Sequence, residues 1–164
     1  MTDPRPPAEL TAHIENHYRA VAAGPMVGVP LCNPLLSVRL LGLVEWEGVR
    51  VGALVMPWAI NLLLLPGRAP WQEASALSKQ CWRFPSGDYD FIHAEDVGFG
   101  PFQMCSLFSP ALEFDSMEAA CATAQAALLA LLRPPLEASS MAVPAAEPVS
   151  RRRWLFGRGS ASAA

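Results

Sequence analysis

The 164-residue sequence carries little charge, 16% Asp, Glu, Lys and Arg against 52% apolar residues. A chain of this composition folds, and its length suits one domain with a sizeable core. No stretch reaches the roughly 18–20 apolar residues that a membrane helix needs. The most apolar run, 51–66, contains two prolines and Asn61 and reads as core strands. No apolar segment follows Met1, so no secretory signal is visible and the expected compartment is the cytoplasm. Cys32, Cys81, Cys105 and Cys121 form no C-x-x-C pair. That excludes zinc-knuckle, rubredoxin and thioredoxin spacings and leaves the thiols as small buried hydrophobes. A cluster assembled by the fold from four distant cysteines is the alternative. Enzyme signatures are missing too: no serine lies in a G-x-S-x-G context, and no local Cys-His signature exists.

Proline, by contrast, is abundant, with 16 residues. It fixes turns and extended joints, which argues against a helical bundle and for a mixed α and β chain. Charge is unevenly placed. Ser150 to Ala164 hold four arginines and no acid, so residues 1–149 keep 8 basic against 15 acidic residues, a net −7. An acidic body of that kind repels phosphate backbones and suits basic partners.

Leu10, Ile14, Tyr18 and Val21 recur on one helical face, predicting a helix over 8–23 that Gly24-Pro25 stops. His13 and His17 lie one turn apart on it, a spacing that can hold a metal. Without a third ligand they read as solvated surface side chains. Leu36 to Trp46 and Val49 to Met56 read as a hairpin joined by Glu47-Gly48. Residues 56–66 read as a segment covered on both sides, in which Asn61 either pins a backbone turn or meets a partner. A short helix is expected around 71–77. Strand-like alternation resumes at Cys81 to Phe84, Tyr89 to His93 and Phe102 to Phe108. His93 with Glu95 and Asp96 reads as an acidic hairpin flank, and an acid/base group including Asp88 and Asp90 is the weaker alternative. Asp115 with Glu118 predicts a capped helix over 116–132 whose apolar face carries Met117, Cys121, Ala124, Leu128 and Leu131.

The expected architecture is therefore α+β: an antiparallel sheet covered by an N-terminal and a C-terminal helix, followed by a disordered basic tail. The domain covers residues 1–136, an Ala/Pro/Ser linker 137–149, and the basic-aromatic tail 150–164. Within the tail Ser150, Arg151, Arg152, Trp154 and Leu155 resemble the twin-arginine export pattern, although no apolar segment follows. They stand either for a mimic of such a signal or for a solubilising tail.

Several blocks carry a family resemblance: Met56-Pro57-Trp58 with Asn61-Leu62, Phe84-Pro85-Ser86-Gly87, and the run from Gly100 to Pro110, with Asn33-Pro34 and Glu113-Phe114 in register. Through these the chain resembles the HybE/HupJ family of nickel–iron hydrogenase assembly chaperones. The resemblance implies an accessory protein that is not an enzyme and has no cofactor or metal of its own. It would bind hydrogenase subunit precursors, above all the iron–sulphur small subunit with its twin-arginine signal, until cofactor insertion and export. The large subunit and a separate rubredoxin are further partners that it implies. No catalytic residues come with it, and the partner-binding candidates within its blocks are Met56, Trp58, Asn61, Gln103, Met104 and Cys105. A metal or redox carrier in hydrogenase cofactor assembly is the competing reading.

Overall fold

The structure, a computed structural model, describes residues 5–135. Helix α1 spans Pro7–Ala23. Proline opens its first turn, where the N–H it lacks would be unbonded anyway. Leu10 and Ile14 are buried, as their spacing predicts. Strands β1 (Arg39–Trp46), β2 (Val49–Met56), β3 (Ala59–Leu65), β4 (Lys79–Phe84), β5 (Gly87–Asp96) and β6 (Gly100–Phe108) precede α2 (Met117–Leu131). They form one sheet in the order β1-β2-β3-β6-β5-β4, and every neighbouring pair is antiparallel.

Glu47 and Gly48 take φ values of 45° and 80°. Two consecutive left-handed residues match the twist of a two-residue hairpin. Pro57-Trp58 turns the chain again, and β3 is buried at all seven positions. Period-two alternation then assigns two cores. Val51, Val55, Leu62, Leu64 and Phe91 face α2, which adds Ala120, Ala124, Leu128 and Leu131. Leu54, Met56, Leu63, Leu65 and Phe102 face α1. Gly42, at a bulge in β1, lets α2 approach closely, since a Cβ there would lie 2.6 Å from Leu128 Cδ2.

Five local expectations are corrected. The thiols are not all buried: Cys81 is exposed, and Cys32, Cys105 and Cys121 are only partly buried. No helix forms at 71–77: this stretch is irregular, because Leu77 sits at φ 68°, outside the helical region, and donates its N–H to the His93 carbonyl rather than to a carbonyl of its own turn. Ser116, rather than Asp115, caps α2, its hydroxyl accepting from the Ala119 N–H at 3.1 Å. His13 and His17 are not free in solvent: His13 Nε2 lies 2.6 Å from the Gly98 carbonyl, and His17 Nε2 lies 2.9 Å from Asp96 Oδ2. These contacts dock α1 on the β5–β6 turn. His93 is buried rather than part of an open acidic flank.

His17→Ala should cost about 1 kcal/mol, the net worth of one such hydrogen bond. A urea midpoint equal to that of the wild type would show that the His17–Asp96 contact contributes nothing.

Candidate functional site

Helix α1 covers only part of its face of the sheet. Where it stops, a groove of about 410 Å³ opens between Tyr18 and the β2–β3 turn. Met56, Trp58, Asn61, Phe102 and Met104 line it, and Ile92 and Ser106 continue it toward β5. The Tyr18 and Trp58 rings stand 6.5 Å apart at one end. Burial, aided by the Asp96 charge, pushes the Tyr18 phenol up to about 12. The unfolded value is about 10, so the stability Tyr18 adds is complete below pH 10 and is lost as pH rises through 12. Ultraviolet titration of wild type and Tyr18→Phe should place this ionisation near pH 12; a phenolate formed near pH 10 would contradict the burial.

Asn61 is the polar exception in the groove floor. It is 8% exposed, and its Nδ2 donates only to the Met104 sulphur at 3.7 Å. Its Oδ1 is enclosed and has no partner. Pinning a backbone turn, one of the two roles the sequence leaves open, is therefore not what this amide does. An unpaired buried acceptor costs about 1–3 kcal/mol, which makes the position costly unless something else supplies the donor.

Four of the six candidates, Met56, Trp58, Asn61 and Met104, thus converge on one groove. Gln103 and Cys105 do not, since alternation along β6 turns them to the α2 side. Gln103 is fully buried there and bonded to Trp82 and Gln80. Cys105 is half-buried against the α2-side core, where burial and then the Asp90 charge push its thiol up. That disfavours the reactive thiolate at neutral pH. Tyr18, Ile92 and Phe102 line the groove without having been singled out from the sequence. The same alternation that places Met104 identifies Phe102, whereas Tyr18 needs the tertiary docking of α1. Among the described residues no three His, Cys, Asp or Glu side chains converge as a metal-binding group. No helix among them is long and apolar enough to cross a membrane. Ser150, Arg151, Arg152, Trp154 and Leu155, like the linker 137–149, lie outside the described residues.

Comparison with known proteins gives concordant results. The family model described as NiFe-hydrogenase assembly, chaperone, HybE matches residues 9–157. The hydrogenase expression/formation protein HupJ of Bradyrhizobium diazoefficiens is 37% identical over 159 residues, covering 94% of this chain and 93% of its own. A Rhodobacter capsulatus HupJ named a probable rubredoxin is 32% identical over 77% of this chain, but only 45% of that longer protein is matched. The solution structure of HybE from Escherichia coli superposes with a TM-score of 0.63 at 24% identity, covering 92% of this chain and 90% of the other, which establishes a shared fold.

Proposed function

Because the chain belongs to the HybE family of nickel–iron hydrogenase assembly chaperones, we propose that it holds its client in the groove between α1 and β6. On this reading the client is the iron–sulphur small-subunit precursor, bound in the cytoplasm with its twin-arginine signal still attached. The observation that carries the proposal is Asn61 Oδ1, an enclosed acceptor without a partner in a mainly apolar groove. An extended client segment draws the Asn61 amide outward to accept its backbone N–H while its apolar side chains pack on Trp58, Met56 and Met104. Methionine adapts to varied partners and tryptophan is a frequent anchor. The acidic balance of residues 1–149 steers a basic client toward the surface, a contribution to rate more than to affinity.

The test is capture of tagged full-length protein from hydrogenase-producing cells, with mass spectrometry of what accompanies it. Uncleaved small-subunit precursor is the expected companion; its absence, in cells that demonstrably contain it, would refute the client assignment. Trp58→Ala should weaken capture about tenfold, a modest value for an interface anchor. Asn61→Leu separates function from packing: it removes the orphaned acceptor, so stability should rise by about 1 kcal/mol while client affinity falls. A variant that stays folded and binds as well as wild type at both positions would exclude the groove.

A further inference from the structure

On the opposite, α2-facing side of the sheet, a chain of hydrogen bonds fixes the protonation geometry of a buried histidine. The Trp82 indole N–H can only donate, and it donates to Gln103 Oε1 at 2.7 Å. Gln103 Nε2 is therefore the donor end, bonded to Gln80 Oε1 at 2.9 Å. Its second hydrogen points to His93 Nε2 at 3.3 Å. His93 Nε2 must then accept, so the ring carries its proton on Nδ1. His93 is only 5% exposed, and Nδ1 has no partner among the described residues.

The His93 ring that carries this unpartnered donor lines a cavity of about 370 Å³, bounded on the other side by the irregular segment after β3. Trp71 forms one face, with its ring 6.5 Å from that of His93. Glu73 and Glu95 stand at the rim, and Ala76 and Pro101 give it apolar sides. Two carboxylates exclude an anion. Neither has an ion-pair partner among the described residues. An indole face beside paired acids suits a guanidinium, which stacks and donates in a planar fork. A peptide carbonyl next to it accepts from His93 Nδ1–H.

We propose that this cavity holds an arginine from the chain's own Arg151–Arg153 segment. Charge and reach select this occupant. The segment concentrates three arginines beside Trp154, Leu155 and Phe156, whereas residues 1–149 are net acidic. Helix α2 ends near the β4–β5 turn, where the Ser86 hydroxyl donates to the Leu131 carbonyl at 3.0 Å. From there to His93 along β5 is about 20–25 Å at the usual strand rise. Sixteen residues carry the chain from Pro135 to Arg151. A spacer of that length reaches about 55 Å fully extended and averages about 20–24 Å as a flexible coil. Effective concentration is greatest when the average matches the span. The proposal goes beyond the client groove and does not depend on it, because the two sites lie on opposite faces of the sheet.

The experiment compares ¹⁵N spectra of the full-length wild type and a full-length R151A/R152A/R153A variant, with the Trp71 indole signal assigned through Trp71→Phe. The Trp71 indole and His93 Nδ1–H signals should shift between the two proteins. A peptide spanning residues 150–156, added to the triple variant, should restore the wild-type positions. Glu73→Gln with Glu95→Gln should weaken that peptide roughly tenfold, the worth of one charge-assisted bond. Coincident Trp71 and His93 signals in wild type and triple variant would overturn the proposal. If the peptide still binds at Trp71 in that case, the cavity belongs to an arginine of another chain and the assignment to this segment is equally refuted.

Discussion

Phe91→Ala should lower stability by about 3–5 kcal/mol, the usual range for deleting a fully buried phenylalanine. Phe91 is 0% exposed and lies in the α2-side core. Its ring is 5.8 Å from Phe84, which in turn stacks on Trp46 at 4.3 Å. The deletion therefore empties one end of an aromatic row that ties β5 to the distant β1–β2 turn. The space cannot refill from the strand, because neighbouring Phe84, Trp82 and Tyr89 are held by their own contacts. A single domain has only about 5–15 kcal/mol to lose, so thermal unfolding should begin at least about 10 °C earlier. A loss below 1 kcal/mol would mean that the row collapses onto the gap, contrary to its packing.

The second large effect is expected at Asn33, which is 3% exposed. Its Nδ2 donates to the Ala111 and Phe114 carbonyls at 3.0 and 2.8 Å. Its Oδ1 accepts from the Leu35 N–H at 3.0 Å, and its own N–H donates to the Pro57 carbonyl at 2.7 Å. One side chain thus joins the segment after α1 to the segment before α2. Asn33→Ala strands the buried Ala111 carbonyl and removes the partner of two part-buried groups, the Phe114 carbonyl and the Leu35 N–H. At about 1–3 kcal/mol for each unsatisfied group, partly relieved by local relaxation, the loss should be about 3 kcal/mol. Denaturant unfolding measures it, and Asn33→Asp should be no better, since a carboxylate replaces the donor with a buried charge. A near-neutral Asn33→Ala would show that water reaches the site.

The sequence carried the strand pattern because the physics there is local. Alternation along β2 and β6, the continuous apolar run of β3, and the Glu47-Gly48 turn each need only neighbouring residues to be read. It was less informative about side-chain polarity. Asn33, Asn61, His93 and Gln103 are all buried, yet most of their partners are far along the chain, in other strands for Asn61, His93 and Gln103 and in the segment before α2 for Asn33. Gln103 and Met104 illustrate the limit. They are adjacent in β6, but one orients a buried histidine through an amide chain and the other floors an open groove. A run of neighbouring strand residues carries both duties at once, and only the face assignment separates them. The expected helix at 71–77 failed for the opposite reason: composition favoured it, while a turn at Leu77 and the bonds of Leu77 and Ser78 to the remote His93 took the backbone groups that a helix would have used.

The strand order has a consequence for how the chain reaches this structure. Four of the five pairings join strands that are neighbours in sequence, and only β3 with β6 joins distant ones. Each half is a three-stranded meander able to form from local encounters, so a single long loop closure, between about residues 64 and 103, separates two partial sheets from one. That closure buries the last open flank of β3, the most completely apolar strand. Until it happens, the most aggregation-prone edge of this chaperone is its own.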